Sequence, residues 1–397
     1  MDTVQLGLRE NWKQFTLLVI INGFVGGMVG LERTVLPQLA EIEFQLAAHT
    51  AILSFIVVFG ITKAIANYVT GLLAERTGRK NLLILGWLFG VPVPFILMYA
   101  PDWSWVVAAN ALLGINQGLA WSSTVVMKID LVGRRNRGLA MGLNESAGYL
   151  AVGVVAFLTG WIATEYGLRP YAFFPGVCFA LAGLFGSWFL VRDTASHKEL
   201  ETKSTTVPSL SNVFWDTTWR HRMLGSITQA GMVNNLNDGM MWGLLPMLLA
   251  SRHFDLVQVG QIAAVYPVVW GVGQLLTGRL ADSLEKKHML FWGMLAQGLA
   301  IVLMIWADGF REYFFLAILL GAGTATVYPT FLAAIADHTH PRQRAESLGV
   351  FRLWRDLGYS VGALMTGIIA DLFGISWAVA STGVLTLCSA AIIRVRM

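Results

Sequence analysis

A few ionisable and amide side chains interrupt otherwise apolar stretches of this sequence. Glu32 and Arg33 sit in one stretch, Lys63 in the next, and Glu145 beside Asn144 in a third. Asp238 follows Asn234, Asn235 and Asn237, and Arg352, Arg355 and Asp356 fall together further on. Carboxylates so placed can carry protons, and the bases can hold an anion or a neighbouring acid. An ionisable group inside a bilayer costs ~2.5–3.5 kcal/mol on insertion scales, so each marks a functional site by default. Asn234, Asn237 and Asp238 stand at i, i+3 and i+4 and share one helical face. Asn110 and Gln117, seven apart, share another face, with Trp121 one turn beyond. Such faces look into water or solute, or make interhelical hydrogen bonds. Trp242, Trp270, Tyr328 and Trp354 are candidate aromatic walls.

No nucleophile or metal set accompanies these groups. His49, His197, His221, His253, His288, His338 and His340 all lie at the ends of apolar stretches or between them. His-Glu-x-x-His does not occur, and Gly-x-Ser-x-Gly is spelled only by Gly358-Tyr359-Ser360-Val361-Gly362, inside the apolar stretch 345–371 and not at the strand-to-helix turn a nucleophilic serine needs. Cys178 and Cys388 sit in apolar stretches and imply neither a disulfide framework nor a metal cluster. A phosphate-binding loop is also missing, which argues against direct ATP drive. Neither an enzyme nor a cofactor is expected.

The elements that must position these residues follow from composition. Hydrophobic residues make up 55% of the chain and charged ones 13%, against about 25% charged in an ordinary soluble domain. A bilayer core of ~30 Å takes about 20 mostly apolar residues per helix. Twelve stretches qualify, at 15–39, 48–73, 82–100, 104–128, 138–163, 170–191, 223–250, 258–281, 288–306, 311–334, 345–371 and 376–394. They leave no room for a soluble catalytic domain, and the expectation is an all-α membrane protein with twelve transmembrane helices. The first stretch is too long, and lacks the small-residue site, for a cleavable signal peptide.

With the N-terminus inside, every cytoplasmic segment carries lysine or arginine, whereas the outer segments carry only Arg169, Arg252 and Arg311. This asymmetry orients the chain with both termini in the cytoplasm. It also accounts for the basic charge balance without a nucleic-acid partner. The polar stretch 192–222 reads as a cytoplasmic linker between six-helix halves at 1–191 and 223–397.

The halves repeat at an offset of 207. Gly71 falls on Gly278, Asp130 on Asp337, Arg137 on Arg344, Gly142 on Gly349 and Thr159-Gly160 on Thr366-Gly367. One ungapped offset from 71 to 167 points to two parallel, pseudo-symmetric bundles, an arrangement of secondary transporters with the solute between the repeats. The same shift places Glu145 on Arg352.

The loop after the second stretch reads Gly71-Leu-Leu-Ala-Glu75-Arg76-Thr-Gly78-Arg79-Lys80, and its copy begins Gly278-Arg-Leu-Ala-Asp282. In these motifs and the repeat the chain resembles the major facilitator superfamily over nearly its whole length, with Glu75 where that family usually has Asp. The resemblance implies rocking-type alternating access and a cytoplasmic gate. Gly71, Glu75, Arg76, Gly78, Arg79, Asp130 and Arg137 would form the gate of the first half, with Gly278, Asp282, Asp337 and Arg344 as second-half counterparts. Two features depart from proton-driven drug antiporters of the family. Asn110 stands where many have Arg, and 142–160 contains no Pro.

The leading expectation is a secondary active transporter of a small organic solute, coupled to protons or another ion. The alternatives are a multidrug-type efflux antiporter and a non-transporting membrane sensor. The intact Gly71, Gly78 and Arg79 argue against the sensor. Asp238, Glu145 and Glu32 are candidate proton carriers. Lys63, Arg352 and Arg355 favour an anion- or zwitterion-capable site, with Lys63 and Arg355 offering one charge from each half. Asn110, Gln117, Asn234 and Asn237 complete the candidate lining. Structural alternatives are a snorkelling Arg33 beside Glu32 and a packing ion pair between Arg355 and Asp356. The repeat already closes a transport unit, so a monomer in a plasma or bacterial inner membrane is expected.

Overall fold

The computed structural model describes residues 4–33, 35–45 and 49–397. Thr34 and Ala48, which fall in the first two predicted stretches, lie outside the described residues, as do the side chains of Arg33 and His49. Among the described residues the chain is helical and contains no strand.

The first repeat contains α1 (Trp12–Arg33), a short helix Val35–Ile42, α2 (His49–Thr77), α3 (Arg79–Gly90, resuming as Pro92–Tyr99), α4 (Trp103–Val132), α5 (Arg137–Tyr166) and α6 (Phe174–Phe185, ending in a wide turn Gly186–Leu190). A linker helix, Ala195–Ser204, follows. The second repeat contains α7 (Arg222–Ser251), α8 (Leu256–Ser283), α9 (Lys286–Leu303), α10 (Phe310–Asp337), α11 (Arg344–Phe373) and α12 (Ile375–Arg396). Each expected stretch is occupied by one of these helices, and the chain is an all-α, multi-pass membrane protein.

Nine segments among the described residues are long and apolar enough to cross a bilayer, and α4, α7 and α9 fall short of that measure. The physical reason lies in their polar cargo. Asn110, Asn116, Gln117 and Lys128 are buried on α4, and Asn234, Asn235, Asn237 and Asp238 on α7. α9 has only 18 residues and opens on Lys286-Lys287-His288. The outer surface shows the reverse pattern: Phe157 is 79% exposed, Leu276 72% and Leu364 67%. Apolar outside and polar inside is what a lipid solvent selects.

The chain divides into two compact units. The first comprises Met1–Arg135, Asn144–Thr206 and His340–Gly349, and the second comprises Asn136–Leu143, Val207–Thr339 and Val350–Met397. Each is the body of one repeat plus the opening turns of a helix from the other. In the first unit the start of α11 lies on the end of α2, where a Cβ on Gly71 would stand 2.7 Å from the Ala345 carbonyl oxygen and 3.1 Å from the Gly349 Cα. In the second the start of α5 lies on the end of α8, where a Cβ on Gly278 would stand 2.8 Å from the Gly142 Cα. Only glycine permits backbones this close, which explains why these four positions match at the 207 offset.

The repeat also holds in the interior. Thr70 donates to the Gly118 carbonyl at 3.1 Å, and its counterpart Thr277 donates to the Ala325 carbonyl at 2.6 Å. Both bonds pin a helix to its neighbour through the same register.

Candidate gating and solute sites

The meeting point of α2, α3 and α4 in the first unit carries a dense charge cluster. Arg79 pairs with Asp130 at 2.9 Å and with Glu75, one turn before it, at 2.8 Å. Gly78 makes this possible: its φ of 82° is a left-handed value, and it lets α2 end and α3 begin within a single residue. Arg344, from the start of α11, lies 3.4 Å from Asp130 and makes a two-pronged contact with Glu201 of the linker helix at 2.8 and 2.9 Å. Lys198 of the same helix reaches Glu75 at 2.6 Å, and Thr194 donates to Asp130 at 2.9 Å. Arg76 is exposed and makes no ion pair among the described residues.

Arg137 does not join this set. It lies in the second unit, paired with Asp337 at 2.6 Å and donating to the Ala336 carbonyl at 3.1 Å. Lys286, 207 residues after Arg79, holds Asp337 at 2.9 Å as Arg79 holds Asp130. The second loop motif, degenerate as a string of letters, therefore keeps its basic position. Asp282 accepts the backbone N–H groups of Gly138 and Leu139 at 2.6 and 2.9 Å, in the first turn of α5. A carboxylate there satisfies orphan donors and complements the helix dipole.

The first unit has a polar interior at mid-chain. Glu145 accepts from the Trp121 indole at 3.1 Å and from Asn144 at 2.8 Å. Lys128, fully buried, donates to Asn144 Oδ1 at 2.5 Å, and Asn22 donates to the Asn144 carbonyl at 2.8 Å. Lys63 places its ammonium 5.9 Å from the Trp121 ring and 5.7 Å from the Phe59 ring. Gln117 donates to the Val25 carbonyl of α1 at 2.7 Å. Asn110 donates to Val106 of its own helix, and it shares with Glu32 a cavity of about 20 Å³ otherwise walled by Val29, Phe55, Ile56 and Phe59.

In the second unit the shared face of α7 splits. Asn237 donates to Gln297 on α9 at 3.0 Å and accepts from Thr386 on α12 at 2.8 Å. Asp238, about 100° further round the helix, accepts from the Tyr266 hydroxyl on α8, which also lies 3.4 Å from Thr324 on α10. Asn234 is buried, and neither amide atom has a hydrogen bond among the described residues. Tyr266 begins an aromatic ladder: its ring is 6.0 Å from Trp270, which is 5.1 Å from Tyr328. The Arg355 guanidinium sits 5.0 Å from the Tyr328 ring and pairs with Asp356 at 2.6 Å. Arg352 is buried one turn earlier. Trp242 is half exposed.

The 207 offset maps these interiors onto each other. Lys63 corresponds to Trp270 and Trp121 to Tyr328, so a cation on an aromatic ring in one unit becomes ring on ring in the other. Sequence reasoning passed over Lys128, the last residue of the predicted stretch 104–128, whereas α4 runs on to Val132 and leaves it inside the helix. It also passed over Tyr266, whose offset partner is Phe59 and carries no signal. Lys198 and Glu201 were legible only as the i, i+3 spacing of two charges on a helix face.

The sequence pattern of the Major Facilitator Superfamily matches residues 15–230 and again 227–396. The chain belongs to the major facilitator superfamily. The multidrug resistance protein MdtG of Salmonella typhimurium is 24% identical over 381 residues, covering 92% of this chain and 90% of that protein. MdtG of Escherichia coli is 24% identical over 377 residues with the same coverage. The crystal structure of the human organic anion transporter MFSD10 superposes with a TM-score of 0.76 at 16% identity, covering 96% of this chain and 99% of that one. As a superfamily member the chain is a secondary transporter of small molecules.

Proposed function

We propose that this transporter moves an amphiphilic organic solute in exchange or symport with protons. The observation that carries the reading is the ladder from Asp238 through Tyr266, Trp270 and Tyr328 to Arg355 and Asp356 in the second unit. It offers apolar ring faces with an acid at one end and a base at the other. A solute with a flat apolar body and a polar or charged group fits that chemistry. Asp238 is the proton carrier, held by a phenol that can reorient when the carboxyl is protonated. Arg355 and Arg352 supply positive charge, and Asn234 supplies free amide donor and acceptor capacity. In the first unit Glu145, Lys63, Gln117, Asn110 and Glu32 line or support the pathway. The names of the relatives, multidrug resistance and organic anion transport, both fit amphiphiles of differing charge.

The moving bodies are the repeats 1–191 and 223–397 joined by 192–222. The clusters around Asp130 and Asp337, with Gly71, Gly78 and Gly278 permitting close approach, act as the cytoplasmic gate. The protein works as a monomer in a cytoplasmic membrane with both termini inside, and it makes and breaks no covalent bond. The test is proton flux in proteoliposomes loaded with a pH-sensitive dye and challenged with amphiphilic cations, anions and zwitterions. At least one class should drive proton movement in the wild type. Asp238→Asn should abolish that movement and keep solute counterflow. Unchanged coupling in Asp238→Asn overturns the assignment.

A further inference from the structure

Outside these sites the first unit carries a groove of about 540 Å³ where the opening turns of α3 meet the end of α6. Its chemistry is graded along the helix axis. Thr77, Lys80 and Asn81 lie at one end, and Leu85 and Leu88 at the other. Lys80 and Leu88 are eight positions apart, a climb of ~12 Å at 1.5 Å per residue. Asn81, Leu85 and Leu88 stand at i, i+4 and i+7 and form one stripe along that climb. Leu85 and Leu88 are exposed, as is Trp188, which closes the groove from α6 two residues before the end of the wide turn at Leu190. Tryptophan is favoured at the headgroup level of a membrane, so the polar end of the groove lies at the cytoplasmic interface.

The charges at that end are unequal. Arg79 is held by Asp130 and Glu75, and the Asn81 amide is held by the Thr77 carbonyl at 2.8 Å. The Lys80 ammonium has no ion pair or hydrogen bond among the described residues, although its backbone N–H donates to Asp193. An unneutralised cation above an apolar trough, at the basic face of the protein, is complementary to one occupant: a phospholipid with a net negative headgroup in the cytoplasmic leaflet.

The geometry points to this groove as a binding site for an anionic phospholipid. Its phosphate meets Lys80 and Asn81, and one acyl chain runs along Leu85 and Leu88 against Trp188. Because Lys80 directly follows Arg79, the lipid headgroup borders the charge cluster around Asp130.

The test is native mass spectrometry of the detergent-purified full chain with added phosphatidylglycerol or phosphatidylcholine. The wild type should retain phosphatidylglycerol in preference to phosphatidylcholine. Lys80→Gln should lower phosphatidylglycerol retention about fivefold, the worth of one basic residue at an anionic surface, and Lys80→Arg should restore it. Trp188→Ala should weaken both lipids. A melting profile for each variant separates lost binding from lost folding. Equal retention by wild type and Lys80→Gln, or equal retention of the two lipids, overturns the proposal. Displacement of the lipid by excess inorganic phosphate also overturns it, since the site would then recognise a free oxyanion.

Discussion

Arg137, at the start of α5 in the first repeat, and Asp337, at the end of α10 in the second, form an ion pair of 2.6 Å. The same relationship holds with the repeats exchanged, where Arg344 approaches Asp130 at 3.4 Å. The pair is crosswise because the start of each repeat's fifth helix lies on the other repeat's second helix at glycine contacts. Glycine pairs and ion pairs thus act on the same surfaces, one setting the approach and the other supplying the attraction.

Arg344→Ala removes the partner that Glu201 and Asp130 share in a buried setting. Removing one member of a buried pair costs on the order of 3–5 kcal/mol, because the remaining charges stay desolvated. The expected outcome is a clearly lower melting temperature in detergent, partly restored by Arg344→Lys, which returns the charge without the two-pronged contact. A melting temperature equal to wild type would place Glu201 outside the cluster.

Gly71→Ala puts a methyl 2.7 Å from the Ala345 carbonyl oxygen. Overpacking of this kind costs ~1–3 kcal/mol, and the start of α11 must move away to relieve it. A cysteine introduced as Ser347→Cys, at a buried position of that segment, should be labelled by a maleimide faster in the Gly71→Ala background, by about tenfold for each 1.4 kcal/mol. Unchanged labelling would show that the helices absorb the methyl without parting.

Asn237 is bonded on both sides, to Gln297 and Thr386. Asn237→Leu leaves both partners buried without it, at ~1–3 kcal/mol for each unsatisfied group. Lower thermal stability with an unchanged solute profile is expected. A changed solute profile at unchanged stability would place Asn237 among the lining residues.

Tyr266→Phe deletes the hydroxyl that Asp238 accepts while keeping the ring that stacks on Trp270. Proton-coupled flux should change its pH profile, whereas solute affinity, carried by the ring faces, should stay within about threefold, under 1.4 kcal/mol. A large loss of affinity with an unshifted profile would reverse these roles.

His197, on the linker helix, lies 3.1 Å from Asn11 Oδ1. Burial lowers its pKa, and Asp130 nearby offsets part of that effect. Its folded value therefore lies below the unfolded value of about 6.5, and proton binding favours the unfolded chain. The contribution is full above about 6.5 and is lost as pH falls through the folded value. The melting temperature should fall between neutral and mildly acidic pH more steeply in wild type than in His197→Gln, and parallel curves would remove the residue from the linkage.

Much of this was legible before any fold was known. Hydropathy run lengths located the helices, since a bilayer admits few backbone solutions. The 207 offset found the glycine contacts and the aspartate–arginine pairs, since each tolerates almost no substitution at such close approach. The offset could not say that the pairs run crosswise between repeats, because spacing along a chain carries no information about which copy a side chain reaches.

The amino-acid order alone determined the membrane class and the repeat, because each follows from local transfer cost and periodicity. Tertiary structure decided the rest. Asn237 and Asp238 are adjacent in the chain, yet one is tied into helix packing and the other meets Tyr266. Lys128, four residues from a helix end, is buried against Asn144. Only the packing of neighbouring helices determines where a polar side chain finds its partner, because that choice depends on atoms contributed by distant parts of the chain.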